Sequence, residues 1–254
     1  MKIFAMRSIK LPLFTGYIAR GLALYMLRTI NPTISQNLHE RNSVKPYSVT
    51  PLYFKSSKKF ADGYEIDTLS PCIFKIRLLD DSIVKNLMDY LLSHESIMIF
   101  DTMFKIDSIN MRTLDFTKLS DCKLFRIIFD SPTHLSKIGS KFDTIFPEPL
   151  SVFPNLMRTW DSCMPEKYGK AVHTEYKIWI EKNVTVSAYD LHTLTIFGKS
   201  MKIGFVGWCN YRIDDHEKSM FSLATNKLIK FAEYSNIGME RTAGYGVAHI
   251  IYKT

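Results

Sequence analysis

Cysteine is scarce in this chain, and its arrangement excludes two kinds of site. The 254 residues include four cysteines, and no C-x-x-C pair joins any of them. The sequence therefore offers neither a zinc knuckle nor a dithiol redox motif. We expect the cysteines to be reduced, small core residues. They are Cys72, Cys122, Cys163 and Cys209.

Metal-ligand spacing is missing from the sequence as well. The seven histidines show no H-x-x-x-H spacing, and no cluster of carboxylates resembles a metal site. If the chain is an enzyme, we therefore expect it to work without a metal and without a cofactor.

Long apolar runs are also absent. The longest apolar stretch near the N-terminus covers residues 22–27, far short of the roughly 20 residues that a membrane span needs. Arg7, Lys10 and Arg20 interrupt the region in which a signal peptide would be apolar. We expect no membrane association and a cytoplasmic location.

What the chain does contain is a globular composition with a strong positive charge. Hydrophobic residues make up 46% of the sequence, which suits one large domain or two domains of about 100–150 residues. The formal net charge is +8. Such a charge favours a polyanionic partner such as a nucleic acid.

The first half alternates between extended and helical patterns. Extended structure is predicted at residues 2–11, 47–54, 72–79 and 96–111. Helices are predicted at residues 16–30 and 82–94, the second capped by Asp80 or Asp81. Asn31 and Pro32 indicate a further short helix that ends near His39.

The second half repeats this order. Extended structure is predicted at residues 122–132, 174–197, 202–213 and 247–253, and helices at residues 150–163 and 216–235. Asp214 or Asp215 is the expected cap of the last helix. The fold class predicted is α+β, with two tandem ferredoxin-like (RRM-like, βαββαβ) domains. We expect one domain to span residues 1–120 and the other residues 121–254.

Three of the 11 glycines, Gly238, Gly244 and Gly246, fall within nine consecutive positions around Arg241. They lie in the predicted connection between the last helix and the last strand. Exposed amides in such a turn, with an arginine beside them, form a concavity suited to phosphate. A glycine helix cap followed by a tight turn explains the same pattern.

This segment resembles the glycine-rich loop of a known family. "NIGMERTAGYGVAHI" is similar to the C-terminal loop of RAMP-superfamily proteins, specifically the CRISPR-associated Cas-six endoribonucleases. Three further regions resemble that family in the same order. They are residues 20–40 with 45–52, residues 129–135 with 146–161, and residues 190–208.

The resemblance implies a metal-independent endoribonuclease that cuts CRISPR repeat RNA. In this reaction a ribose 2′-hydroxyl attacks the adjacent phosphate, which leaves a 2′,3′-cyclic phosphate and a 5′-hydroxyl and yields mature guide RNAs. The protein must remove one proton, donate another and stabilise the charge that grows on phosphorus.

His39 is the strongest candidate for a proton-transfer group. Its imidazole titrates near working pH, and the family's catalytic histidine matches this position. Lys45 falls where some members carry an active-site lysine, and its ammonium would stabilise the phosphate charge. Tyr47 is another hydroxyl close in sequence to His39.

A third family position departs from the pattern. Where some members place a tyrosine in the first helix, this chain has Leu24, with Tyr25 beside it. We expect Tyr25 on the core face of the helix and Leu24 on the face of Arg20 and Arg28. Tyr25 is therefore a weaker catalytic candidate, and either arginine could supply charge stabilisation instead.

RNA binding is expected to use further cations. Lys55, Lys58 and Lys59 form a basic loop or hairpin that could track phosphates, as could Arg241, although a solvated charged turn explains the same lysines. Other CRISPR-associated subunits and a second copy of the chain are further expected partners.

Two other functions fit parts of the pattern. One is a non-catalytic RAMP subunit that holds RNA inside a CRISPR interference complex. The other is an unrelated tandem ferredoxin-like enzyme acting on a small anionic metabolite.

Overall fold

The computed structural model describes the chain except for residues 40–43, 114, 117–121, 137–141, 198–200, 216–218 and 254, and it describes every remaining side chain except that of His39. The chain divides into two compact units. One comprises residues 1–113 with 242–244, and the other residues 114–241 with 245–254. The predicted boundary between residues 120 and 121 lies outside the described residues.

The first unit combines strands with three helices. Its elements are β1 (Lys2–Ala5), β2 (Ile9–Pro12), α1 (Gly16–Ile30), α2 (Pro32–His39), β3 (Tyr47–Val49), β4 (Tyr53–Phe54), β5 (Lys58–Phe60), β6 (Gly63–Ile66), β7 (Pro71–Ile73), β8 (Ile76–Leu78), α3 (Asp81–Ser93), β9 (Ser96–Ile99) and β10 (Thr102–Ser108).

The main sheet of this unit has the strand order β4-β7-β1-β10-β9. Strand β1 lies between β7, which precedes α3, and β10, which follows it, and both pairings are antiparallel. This is the ferredoxin-like arrangement with β9 added at one edge. Ile3, Met26 and Phe104 are fully buried between the sheet and the helices.

The second unit repeats the arrangement around a longer sheet. Its elements are β11 (Leu124–Thr133), β12 (Leu135–Ser136), β13 (Asp143–Thr144), α4 (Pro149–Cys163), α5 (Lys170–Asn183), β14 (Val184–Ile196), β15 (Lys202–Ile213), α6 (Met220–Ser235) and β16 (Ala248–Lys253). A short 3-10 helix, Arg241–Ala243, has its first residue in this unit and its other two in the first unit. The sheet order is β14-β15-β11-β16. Both units therefore confirm the predicted ferredoxin-like fold.

The helical face of the second sheet is aromatic. Phe125 of β11 and Tyr211 of β15 stack with ring centroids 5.5 Å apart, and Phe153 of α4 meets both rings edge-on. All three are fully buried. Side chains alternate across a strand, so their neighbours in sequence point to the opposite face.

Two strand predictions need correction. Residues 2–11 form two strands in different sheets, β1 and β2, and not one. The segment 170–183, predicted as extended from residue 174 onward, is helix α5. Tyr176 and Ile180 are its buried residues, and their spacing of four is helical. The Tyr176 hydroxyl also bonds Thr225 Oγ1 of α6 at 2.9 Å.

The predicted cap of α3 is confirmed, and the predicted cap of α6 was wrong. Asp80 caps α3 and accepts from the Ser82 amide at 2.9 Å. Helix α6 is capped by Ser219 and not by Asp214 or Asp215. Asp215 instead supports the cap, because its carboxylate accepts from the Ser219 amide at 2.9 Å.

Candidate functional site

The junction between α1 and α2 depends on Asn31. Its amide donates to Leu27 O at 2.8 Å and ends α1, and its side-chain oxygen accepts from the Ile34 amide at 3.3 Å. Pro32 follows as the first residue of α2, where its missing N–H costs nothing. Ser35 Oγ donates to Leu24 O at 3.4 Å and ties the two helices together. Asn31 thus both ends α1 and stabilises the start of α2, the helix that ends at His39.

Lys45 lies against the last turn of α2. Its ammonium donates to the Asn37 carbonyl at 3.4 Å, two residues before His39. A cation at this place is favoured by the unpaired carbonyls of a helix C-terminus. His39 itself is the last residue of α2, but its side chain lies outside what the structure describes. The described backbone therefore brings Lys45 to the helix end that carries His39.

Tyr47, Arg20 and Thr242 form a second group in the same unit. Tyr47 is fully buried, and its hydroxyl makes no hydrogen bond of acceptable geometry within the described residues. Burial raises the pKa of Tyr47, while the nearby Arg20 guanidinium and the Thr242 side chain act to lower it. The phenol therefore stays protonated at neutral pH and faces a cation.

Tight packing places the glycine-rich loop next to this group. Gly244 has φ of 78°, and a Cβ on it would come within 2.9 Å of Gly16 Cα and 3.1 Å of the Pro51 nitrogen. Gly16 is the first residue of α1. Only glycine allows the Thr242–Gly244 segment to approach the start of α1 this closely.

The other loop glycines do not present free amides. The Gly238 amide donates to Asn155 Oδ1 at 3.1 Å, and the Gly246 amide donates to Pro132 O at 3.0 Å. Their positive φ angles, 87° and 68°, explain why glycine stands there. The expectation that these two glycines bind phosphate through exposed amides is therefore corrected to a structural role.

Arg241 also departs from its prediction. It is 7% exposed, and its guanidinium donates to Ser235 O at 2.7 Å. Burial lowers its pKa. Arg241 thus stabilises the end of α6 and does not occupy the surface position that phosphate contact requires.

Asn236 organises this loop, and the sequence analysis missed it. It has φ of 59° directly after α6, and its side-chain amide donates to Arg241 O and Tyr245 O at 3.1 and 2.9 Å. Asparagine is among the few residues that tolerate a positive φ. An asparagine placed directly after an amphipathic helix was the signal that could have identified it.

The prediction for Tyr25 was wrong. Tyr25 is 52% exposed and meets Tyr90 of α3 edge-on at 6.1 Å, whereas Leu24 is 7% exposed. Arg28 is exposed and Arg20 half-buried. The helical pattern failed because α2 covers Leu24, a contact that α1 alone does not reveal. Tyr25 thus lies on a different side of α1 from Leu24.

The three candidate lysines are exposed as expected. Lys58 and Lys59 belong to β5, which pairs with β6, and Lys55 precedes that hairpin. The Lys58 ammonium lies 5.0 Å from the Phe60 ring centroid, and that of Lys59 lies 5.9 Å from the Tyr64 ring. The aromatic rings hold the lysine stems while their charges face solvent.

The described part of the chain has neither a metal-binding cluster nor a membrane-spanning helix. No group of three or more histidine, cysteine, aspartate or glutamate side chains there could hold a metal ion. No described helix is long and apolar enough to cross a membrane.

Two family models match most of the chain. The model described as CRISPR Cas6 N-terminal domain matches residues 1–111. The model described as CRISPR-associated endoribonuclease Cas6 matches residues 127–248. The chain belongs to the Cas6 family. Its relatives are thus CRISPR-associated endoribonucleases. No curated protein matches the chain significantly in sequence.

Solved Cas6 structures share the fold over nearly the whole chain. The Cas6 (TTHB231) product complex, of a protein named elsewhere as Thermus thermophilus Cas6, is similar with a TM-score of 0.80 at 20% identity, covering 98% of both chains. The Cas6 (TTHA0078) product complex has a TM-score of 0.68 at 19% identity, covering 99% of this chain and 100% of that one. A Cas6-related protein from Pyrococcus furiosus reaches 0.63 at 14% identity, covering 100% and 99%.

Proposed function

We propose that this Cas6-family chain is a metal-independent endoribonuclease that cuts CRISPR repeat RNA and yields mature guide RNAs. The observation that carries the proposal is the family match over both units, combined with Lys45 at the end of the helix that closes with His39. Two of the structural relatives are Cas6 product complexes. A repeat RNA is therefore the proposed substrate here.

The reaction needs acid–base groups but no protein nucleophile. The ribose 2′-oxygen attacks the adjacent phosphorus, the 5′-oxygen leaves, and the products carry a 2′,3′-cyclic phosphate and a 5′-hydroxyl. His39 takes part in proton transfer as general base or general acid, a role typically worth about 10²–10⁴ in rate.

Charge stabilisation is assigned to Lys45, with Arg20 as a second cation. The Lys45 ammonium donates to the Asn37 carbonyl in the last turn of α2, which places a positive charge at the helix end that carries His39. Arg20 is half-buried beside Tyr47. A fixed cation near a developing oxyanion stabilises the transition state more than the ground state.

Tyr47 acts in this proposal as a positioning residue and not as a proton-transfer group. Its hydroxyl is buried, and burial raises its pKa, so a phenolate base at neutral pH is disfavoured. The Arg20 guanidinium and the Thr242 side chain lie near its hydroxyl. Tyr25, exposed on another side of α1, is a surface residue in this assignment.

RNA binding is assigned to the exposed cations of the first unit. Lys55, Lys58 and Lys59 contact phosphates along the hairpin formed by β5 and β6, and Arg28 adds a further charge. Thr242 and Gly244 of the glycine-rich loop belong to the same compact unit as His39 and Lys45. Residues 1–120 and 121–254 remain our proposed domains, with catalysis in the first and the loop in the second.

The cellular setting is also part of the proposal. We propose a cytoplasmic enzyme that binds repeat RNA and joins other CRISPR-associated subunits or a second copy of itself.

Cleavage of end-labelled repeat RNA from the protein's own CRISPR array, in excess EDTA, tests the proposed reaction. We expect one cut, with a product that resists 3′-end modification until its cyclic phosphate is opened and the resulting phosphate is removed. An RNA with a 2′-deoxyribose at the cut should bind and remain intact, because the nucleophile is missing. Binding without any cleavage of the all-ribose RNA would favour a non-catalytic RAMP subunit. Cleavage that EDTA abolishes would overturn the metal-independent mechanism.

A further inference from the structure

The second sheet carries a built polar and aromatic group on the face that its helices leave open. Ile127 and Phe125 of β11 are fully buried on the helical side, so Arg126 and Ile128 point to the other side. The antiparallel register places Arg126 opposite Asn210 and Ile128 opposite Trp208 of β15. These residues occupy β11 and β15, the two central strands of the sheet.

Arg126 and Trp208 form a stacked pair on this face. The guanidinium carbon of Arg126 lies 3.8 Å from the centroid of the Trp208 ring. Arg126 Nε donates to Asn210 Oδ1 at 2.8 Å, which fixes the guanidinium plane. Contact this close is the geometry of a cation held flat against an aromatic face. The pair is therefore oriented in advance, without a ligand.

The pair is accessible to solvent. Both side chains are half-buried, and their neighbours His249 and Ile251 on β16 are exposed, with Ile251 at 41%. The edge strand β14 contributes exposed Asp190, opposite Trp208, and His192. The surface around the pair thus combines apolar, aromatic and mixed charged groups, within a chain whose net charge is +8.

We propose that Arg126 and Trp208 form a stacking platform for a nucleobase of single-stranded RNA. RNA-binding modules built on a four-stranded sheet of this type stack bases on aromatic side chains of the sheet and on arginine guanidinium planes. The occupant is an RNA nucleotide because a positive planar group on an aromatic ring suits both a base and its phosphate. The inference rests on the proposed function for the identity of the RNA, but it concerns binding and not cleavage.

Fluorescence anisotropy with short single-stranded RNAs tests the platform without a need for cleavage. The probes are 5′-fluorescein-labelled decamers of adenosine and of uridine. We expect Trp208→Ala and Arg126→Ala each to weaken binding of the adenosine decamer by about 5- to 100-fold, as loss of a stacked base does. Trp208→Phe, which keeps a ring, should stay within about threefold of wild type. The adenosine decamer should bind more tightly than the uridine decamer, because purines stack better.

Arg158→Ala is the matched control. Arg158 is exposed on α4, on the helical side of the same sheet, so its loss removes the same charge away from the platform. A small, equal effect of Arg126→Ala and Arg158→Ala would show that only net charge matters and would overturn the proposal. Unchanged binding in both Trp208 variants would overturn it as well. So would a Trp208→Ala protein that binds RNA normally but loses a CRISPR-associated protein partner.

Failure of the platform and failure of the proposed function give different results. If the platform exists, Trp208→Ala raises the protein concentration needed for half-maximal cleavage of repeat RNA, while the rate at saturating protein stays near wild type. If the chain does not cleave RNA at all, the decamer titrations still report on the platform.

Discussion

At the scale of single residues, burial decides which side chains near α2 can exchange protons. The Lys45 side chain is half-exposed and its ammonium donates to the Asn37 carbonyl, so its charge is open to solvent at the end of α2. The Tyr47 hydroxyl is enclosed and lacks a hydrogen bond of acceptable geometry among the described residues. An unpaired buried polar group lowers stability by about 1–3 kcal/mol. The fully buried Tyr47 ring therefore contributes to the hydrophobic core, whereas its hydroxyl does not stabilise the fold.

Replacement of Tyr47 by phenylalanine separates a packing role from a chemical one. We expect Tyr47→Phe to leave the free energy of unfolding unchanged or raise it by up to about 1–3 kcal/mol, because the unpaired hydroxyl is removed. Its single-turnover cleavage rate should fall by less than about tenfold. Urea denaturation and cleavage at saturating protein measure the two quantities. A rate loss of 10² or more, the size expected for a general acid or base, would contradict the positioning role.

Two glycine substitutions should have opposite effects on stability. At Gly246, φ is 68° and a Cβ would lie 1.8 Å from Ile237 O, so Gly246→Ala should lower the free energy of unfolding by more than about 3 kcal/mol. At Gly21, an exposed position within α1, nothing lies within 4 Å of a Cβ, so Gly21→Ala should raise the free energy of unfolding by up to about 1 kcal/mol. Urea midpoints measure both, and a Gly246→Ala protein as stable as wild type would refute the close approach.

Residue positions were predictable where a local signal sets them. Lys45 was singled out because it matches a lysine position of the resembled family, and its ammonium lies beside the helix end that carries His39. The exposure of Tyr25 and that of Arg241 were predicted wrongly. Both depend on packing with other elements, which the residues next to them in sequence do not reveal. Trp208 was not predicted, because a single tryptophan in a strand forms no motif and its contact with Arg126 depends on the pairing of β11 with β15.

At the scale of elements, the geometry of α2 matters most, since this helix carries His39. Its start was predictable because an asparagine followed by proline both ends one helix and begins the next. Helix α5 was not predictable from its own residues. Polar and apolar residues alternate from residue 174 onward, as in a strand, and the contacts that favour the helix come from other elements, from Asp161 of α4 to His173 and from Thr225 of α6 to Tyr176.

Substitution of Asn31 should disturb α2 more than it disturbs the fold. Asn31→Ala removes the side-chain acceptor of the Ile34 amide, at a cost of about 0.5–2 kcal/mol. Because α2 then frays at its start, we expect cleavage at saturating protein to slow by about tenfold or more. Asn31→Asp keeps the acceptor and serves as the control, with near wild-type cleavage. Equal rates for Asn31→Ala and wild type would mean that α2 does not orient the site.

At the scale of the whole molecule, the repeated order of strands and helices made the fold predictable despite errors in single elements. Both units are ferredoxin-like although one predicted strand is divided into β1 and β2 and the first part of another belongs to helix α5, because the sheet order depends on the central strands. The net charge of +8 suits RNA, whose phosphates dominate affinity. The repeat sequence that is recognised cannot be predicted, because it depends on contacts with a molecule that the chain does not encode.

Two tyrosines with a raised pKa should make the folded protein less stable in alkali. Burial raises the pKa of Tyr168 to about 12 and that of Tyr252 to about 12, with smaller contributions from the Glu166 and Glu233 carboxylates respectively. In the unfolded chain a phenol titrates near 10. Between pH 10 and 12 the folded protein therefore holds more protons than the unfolded chain, and its stability falls as the pH rises.

Urea midpoints at pH 8, 10.5 and 11.5 measure this decline. Tyr168→Phe combined with Tyr252→Phe should make the dependence on pH shallower than in wild type, with some slope left from other buried tyrosines such as Tyr211. An identical dependence in the double variant would show that these two phenols do not keep their protons in the folded state.

His39 is the proposed proton-transfer group in metal-free RNA cleavage. A comparison of wild type with His39→Ala tests this role. Wild type and His39→Ala are each mixed, at saturating concentration and in excess EDTA, with end-labelled repeat RNA, and the single-turnover rates are measured with RNA binding measured in parallel. We predict that His39→Ala binds the RNA with near wild-type affinity and cuts at least about 10² more slowly. Equal cleavage rates would contradict the account and move the chemistry to Lys45, Arg20 or another group.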